Sequence, residues 1–405
     1  MNSSTTSVSQ VRVAPRRRVA AAVTLCGVCA FLELYCTQPL LPLFTQIFHA
    51  SKAAVGLTVS AATLGVAVAA PVFGALAERL PRKRVIVGSL LGVALPTLLA
   101  ATATSLWQLI FWRAVQGVAI PGVIAVVVTY IGEEWPAEQV ALIMSFYVSG
   151  TALGGFIGRV TAGLLAEYYN WRVSFLTIGA FALAGAGAVA LWLPHGRRRA
   201  PAADHLTLAT VTAQVRQLVT HRPLIATFAV GFNVLFSLVG VFTWITFHLS
   251  GAPFNLSTAA LSYLFFVYLI GLVVTPAAGF LITRVGLRAG IGGALLCGMA
   301  GVLLTLSHQL FVVIAGLTLV SSGTFIAQTA SQSYLRVASP PNSRVTAAGM
   351  YLTCYYLGGT AAGVVPGLFW AMGKWPACVA FIICMQLIAF AIAMAAWRAP
   401  KPAAA

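Results

Sequence analysis

A chain of 405 residues would ordinarily divide into soluble domains of about 100–200 residues each, but 60% of this one is hydrophobic and 8% charged, too little charge to coat a surface facing water. The net charge of +17, from 24 Lys and Arg against seven acids, would suggest a nucleic-acid partner on a soluble chain; beside membrane spans the same residues set orientation instead. Composition therefore excludes nucleic-acid binding, disorder and a disulfide scaffold, and predicts an all-α polytopic membrane protein.

In chain order, Arg16, Arg17 and Arg18 precede the first apolar run and resemble the basic end of a signal peptide, but the run is too long and others follow, so it is expected to stay as a span. Runs of about 20 apolar residues, enough to cross a hydrocarbon core roughly 30 Å thick, predict twelve helices. They lie at 19–47, 53–77, 85–104, 107–131, 140–166, 172–193, 223–249, 258–282, 289–306, 310–333, 345–371 and 375–397. Residues 1–18 then form an N-terminal tail, 19–193 a first six-helix bundle, 194–222 a linker, 223–397 a second six-helix bundle and 398–405 a C-terminal tail. Within the linker, Leu206, Ala209, Val211, Val215 and Leu218 are spaced for a short amphipathic helix on the membrane surface.

Placing the N-terminus inside and alternating puts nineteen basic residues on the inner side, among them Arg79, Arg82 to Arg84 by way of Lys83, Arg197 to Arg199, Arg284 and Arg288. Lys52, Arg172 and Lys374 fall outside, so both termini are expected in the cytoplasm. Arg113 and Arg159 fall within spans. The seven cysteines all lie in apolar runs, and Cys26 and Cys29, although spaced CxxC, read as small packing residues inside a helix. No histidines group at metal-ligand spacing and no phosphate-loop pattern is complete, so no cofactor or metal is expected.

An internal repeat is visible. Pro71, Gly74 and Arg79 recur as Pro276, Gly279 and Arg284, 205 residues later, and Tyr147, Gly154, Gly155, Gly163 and Trp171 recur as Tyr351, Gly358, Gly359, Gly367 and Trp375, 204 residues later. An offset across six helices preserves direction, which predicts two parallel-repeat bundles related by an axis along the membrane normal.

Gly74 to Arg84, with Glu78, Arg79, Pro81 and Arg82, resembles the signature loop between helices 2 and 3 of the major facilitator superfamily of secondary transporters. Arg113-Ala-Val-Gln116-Gly117 is similar to the helix 4 pattern of its proton-coupled members, and Gly150 to Arg159 resembles its antiporter glycine motif, with Gly155 where Pro is usual and Arg159 where Gly is usual. With the opening segment Leu34 to Pro42 and the segment Tyr168 to Arg172, the resemblance is to YnfM-like inner-membrane transport proteins among the bacterial drug and sugar efflux permeases. It covers almost the whole chain. It implies a cavity lined by helices 1, 4, 7 and 10, which nominates Glu33, Gln38, Arg113, Asn233 and Gln328, with Gln116 beside them. Glu78 and Arg79 sit at a helix end, where a carboxylate–guanidinium contact could hold the cytoplasmic side shut in one state, so the loop carrying Gly74, Glu78, Arg79 and Arg82 is expected to gate the inner face.

Ionisable groups at bilayer depth cost at least about 2.5–3.5 kcal/mol, so each needs a partner or a role. Glu33 is the one carboxyl near the centre of a span and reads as a proton carrier, or as half of a structural ion pair with Arg113. Arg159 adds a second cation to the outer half of the first bundle, where an anionic substrate group could neutralise it. Tyr35, Tyr130, Tyr147, Tyr263, Tyr268, Tyr351, Tyr355 and Tyr356, with Trp244 and Phe232, could line the cavity, or belong to an interfacial belt where they lie near span ends. The expected function is secondary active transport of a small solute across a bacterial inner membrane by alternating access, as export by proton antiport. An uncoupled facilitator or importer, and a membrane sensor or membrane-embedded enzyme, are the alternatives. Expected partners are a small-molecule substrate, protons and the lipid bilayer, with the chain acting as a monomer.

Overall fold

The computed structural model describes residues 16–194, 208–340 and 343–397. Residues 1–15, 195–207 and 398–405, which hold most of the two tails and part of the linker, fall outside that description, as do the surroundings of Gly74, Glu78 and Arg79 on their helix. Among the described residues the chain is helical throughout, because in hydrocarbon every main-chain N–H and C=O must be paired within its own segment. In order these are α1 (Arg16–Leu34), a 3-10 turn (Gln38–Leu40), α2 (Leu41–Ile47), α3 (Lys52–Arg79), α4 (Arg82–Ala100), α5 (Leu106–Glu134), α6 (Ala137–Tyr168) and α7 (Trp171–Trp192). The linker helix α8 (Leu208–Leu218) leads to α9 (Arg222–Leu249), α10 (Thr258–Tyr263), a 3-10 segment (Leu264–Ile270), α11 (Gly271–Val285), α12 (Leu287–Leu304), α13 (Leu310–Ala338) and α14 (Arg344–Ala396).

Eleven of the resulting segments are long and apolar enough to cross a membrane. The 53-residue α14 would be about 80 Å long if straight, far beyond one bilayer. It bends at Gly373 (φ −158°, ψ 28°) and Lys374 (φ 53°, ψ −141°), so it crosses twice and the described residues make twelve crossings. Two expected spans are not continuous α-helices. The first breaks at Tyr35 to Thr37 before Pro39 and Pro42, which lack the N–H needed to continue the ladder. The eighth tightens into the 3-10 segment Leu264–Ile270. Four of the helices that start at the end of the molecule opposite the termini carry side-chain caps, at Ser51, Ser105, Asn170 and Ser257, whereas α13 starts there after Gln309 without one.

Helices α1 to α7 pack into one bundle and α9 to α14 into another, and the repeat is a repeat of contacts. A Cβ on Gly154 of α6 would stand 2.2 Å from the Val28 carbonyl oxygen of α1, and one on Gly358 of α14 would stand 2.0 Å from that of Phe232 in α9. Both partners of the second pair lie 204 residues beyond those of the first. Only glycine allows main chains this close.

The bundles meet through α3 against α14 and through α6 against α10 and the 3-10 segment that follows it. Ser60 Oγ donates to the Thr360 carbonyl at 2.6 Å, Thr360 Oγ1 to Thr63 Oγ1 at 3.2 Å and Thr353 Oγ1 to the Ala67 carbonyl at 3.3 Å. The Thr258 N–H donates to Glu167 Oε2 at 3.0 Å, and Phe156 packs on Phe266 with centroids 4.5 Å apart. Along α3, Ser60, Thr63 and Ala67 are buried but Pro71, one turn nearer the termini, is exposed. The bundles are thus closed against each other at the end remote from the termini and part beyond Ala67.

Candidate functional site

Breaking the first span leaves carbonyls at the end of α1 without their usual donors. Arg113, 1% exposed on α5, fills them: Nη1 donates to the Glu33 carbonyl at 2.8 Å, Nη2 to the Leu34 carbonyl, and Nε to the Thr58 carbonyl of α3 at 3.1 Å. Its Nη1 also donates to Gln116 Oε1, one turn further along α5. The planar fork of arginine is what allows one side chain to serve acceptors on three helices.

Glu33 is fully buried, and its carboxylate makes no ion pair with Arg113. Oε2 accepts from Gln116 Nε2 at 3.3 Å, while Oε1 has no hydrogen-bond partner. Gln116 is saturated: its Nε2 also donates to Thr97 Oγ1 at 2.7 Å, and Thr97 in turn donates to the Val93 carbonyl at 2.9 Å. Each of these groups belongs to the first bundle, so Glu33, Arg113 and Gln116 form one buried polar network between α1, α3, α4 and α5.

Gln38 and Arg159 sit instead on the seam between bundles. Arg159, 2% exposed on α6, donates from Nε to Gln38 Oε1 at 2.7 Å and from Nη1 to the Gly155 carbonyl at 2.5 Å. Gln38 Nε2 donates across the seam to Thr243 Oγ1 at 3.1 Å. Three rings surround the guanidinium, Tyr35 at 4.8 Å from the first bundle and Phe265 at 4.9 Å and Tyr268 at 4.6 Å from the second. In a 3-10 segment residues i and i+3 eclipse one another, which puts Phe265 and Tyr268 on one face.

Asn233 lies inside the second bundle, beside a cavity of about 10 Å³ that Ser237, Gly298, Thr324 and Gln386 also line. Its Oδ1 accepts from Ser237 Oγ at 3.3 Å, and its Nδ2 is unpaired, as is Oε1 of Gln386. Gln328 is half-buried on α13 with no hydrogen bond among the described residues. Arg82, at the start of α4, makes a two-pronged ion pair with Glu133 at the end of α5, through distances of 2.9 and 3.1 Å. Thr97, Thr58 and Phe265 were not among the nominated residues. Hydroxyls and rings abound in these helices, and the one signal available for Phe265 was its repeat counterpart, Ser60, 205 residues earlier.

Twelve spans in two parallel repeats, with ionisable groups held at bilayer depth, are the architecture of a membrane transporter, and the sequence profile of the Major Facilitator Superfamily matches residues 23–363. The chain belongs to that superfamily. It is 34% identical to the inner membrane transport protein YnfM of Escherichia coli (strain K12), over 93% of this chain and 89% of that one. To the MFS-type transporter YybF of Bacillus subtilis (strain 168) it is 32% identical, over 92% of each. A solved major facilitator fold, the inward-facing and unoccupied bacterial homologue of the human lysosomal transporter Spinster, superposes with a TM-score of 0.79 at 16% identity, covering 96% of this chain and 99% of that one. This major facilitator is therefore a multi-pass membrane transporter of a solute and not an enzyme.

Proposed function

We propose that the protein exports a small solute across a bacterial inner membrane in exchange for protons, with Glu33 as the proton carrier, both termini in the cytoplasm and the chain working as a monomer. The observation that carries this reading is the Glu33 carboxyl itself: enclosed, at bilayer depth, without a cation on its oxygens and with Oε1 unpaired. A structural carboxylate would be held in an ion pair; this one has room for a proton on Oε1 while Oε2 keeps its bond from Gln116. The excess of basic residues on the side of the termini supports the orientation.

Gln116 and Arg113 offer a route by which the proton would be felt. They connect Glu33 to the carbonyls of the broken span, and Tyr35 in the break and Gln38 just past it hold Arg159 on the seam. Loading and unloading the proton would shift the break and, through it, the grip of one bundle on the other. In this reading Gly74, Glu78, Arg79 and Arg82 gate the cytoplasmic face, and Gln38, Arg159, Asn233 and Gln328 serve the substrate path.

The test is Glu33→Gln, which mimics the protonated form, in vesicles with an imposed pH gradient. The transported solute would be chosen by a thermal-shift screen of cations, sugars and organic anions. Gradient-driven accumulation should disappear while solute exchange persists. A Glu33→Gln protein that still concentrates solute would refute the coupling role.

A further inference from the structure

Arg113 and Arg159 are both buried, but they differ in how they are satisfied. Arg113 has oxygen acceptors for all three of its nitrogens. Arg159 has two acceptors, on Nε and Nη1, and its Nη2 finds none among the described residues. No carboxylate among those residues lies within ion-pairing distance of it. A guanidinium removed from water with neither a counter-ion nor a full set of acceptors is expensive to hold, and rings alone do not replace an anion.

The repeat shows that this arrangement is local. Arg159 corresponds to Gly363, 204 residues on, while Phe265 and Tyr268 correspond to Ser60 and Thr63, 205 residues before them. At Gly363 the seam is tight: a Cβ would stand 2.2 Å from Ser60 Oγ and 2.9 Å from the Gly56 carbonyl oxygen. One seam between the bundles is therefore closed by glycine and small hydroxyl residues. In the other, three positions that meet in space have all diverged, to a cation and two rings. The hydroxyls of Tyr35 and Tyr268 make no hydrogen bond among the described residues.

We propose that Arg159, with Tyr35, Phe265 and Tyr268, binds the anionic head of an organic acid with a planar apolar body, and that such acids are the transported class. The free guanidinium donors suit a carboxylate, the two phenols can donate to its remaining lone pairs, and the rings supply the apolar contact. Because both bundles furnish the site, its occupancy bears on how they move against each other. Its role in transport rests on the function proposed above; its existence as a binding site does not.

The test is thermal unfolding of the full-length protein in detergent, without any gradient, with benzoate and 2-naphthoate as probes and benzamide, 2-naphthamide and benzylammonium as matched controls. At least one carboxylate should raise the midpoint of the wild-type protein while its amide and the ammonium do not. Arg159→Gln should weaken that carboxylate's affinity by about tenfold or more, with Arg159→Lys in between. Should Arg159→Gln fail to fold, Phe265→Ser combined with Tyr268→Thr, which installs the residues of the other seam, should lose the same response. Equal stabilisation by the controls, an undiminished response in Arg159→Gln or the double variant, or no response of the wild type to either acid would overturn the proposal. The anion response is read in detergent with no gradient and proton coupling in vesicles with one, so a failure of proton coupling and a failure of the anion site give different results.

Discussion

Arg113 meets Glu33 through the main chain: its Nη1 donates to the Glu33 carbonyl at 2.8 Å, and the carboxylate is left to Gln116. Arg113 therefore fastens a broken helix without pairing with the carboxylate, which leaves Glu33 available for the role proposed above. Arg113→Ala would orphan the buried carbonyls of Glu33, Leu34 and Thr58, at about 1–3 kcal/mol each. Thermal unfolding should show a large loss, and Arg113→Lys should recover only part of it, because an ammonium cannot span three helices. Glu33→Gln, which breaks no ion pair and leaves those three carbonyls bonded, should lose much less. Equal losses for the two would mean that a charge pair does form.

Glycine at the helix crossings should be irreplaceable in both repeats. Gly154→Ala and Gly358→Ala each push a methyl group into a facing carbonyl, and overpacking of that kind costs about 1–3 kcal/mol. Gly279→Ala and Gly349→Ala, where nothing lies within 4 Å of the added carbon, should be neutral or slightly stabilising. Unfolding midpoints of the four single variants provide the comparison.

Lys52 should help to hold the remote end shut. Its ammonium lies 4.3 Å from the Trp370 ring and 5.8 Å from the Phe247 ring, both in the other bundle. A contact of this type at a partly exposed site is worth about 0.5–1 kcal/mol, enough to shift a balanced equilibrium several-fold. Spin labels on exposed Tyr169 and Asn255 would read the separation of the bundles. Lys52→Met should increase the population at long distances, and an unchanged distribution would remove Lys52 from the closure.

Arg82 and Glu133 are 19% and 24% exposed, so their ion pair is a modest contributor to stability. Glu133→Gln should cost no more than about 1 kcal/mol, with Arg82→Glu combined with Glu133→Arg restoring most of it. Arg79→Ala tests the gating role directly: transport should fall sharply while the amount of protein in the membrane stays near that of the wild type. Wild-type transport rates in that variant would exclude a gate at Arg79.

Apolar run lengths made the twelve spans legible in the sequence, and the glycines recurring at constant offset revealed the repeat, because bilayer thickness and close helix contact act on the chain locally. Pro39 and Pro42 even mark the break in the first span, though not what would repair it. The surroundings of Glu33 and Arg159 could not be read that way. A helix apolar on every side carries no amphipathic stripe, so its sequence does not say which face meets which neighbour. Tertiary structure decided that Arg113 turns to the carbonyls of Glu33 and Leu34 and not to the carboxylate. It also carried Phe265 and Tyr268, more than 100 residues from Arg159 in sequence, to the rim of its guanidinium. Such contacts depend on the rotation of each helix about its axis and on how the two bundles close, and both are set by packing among all twelve spans together.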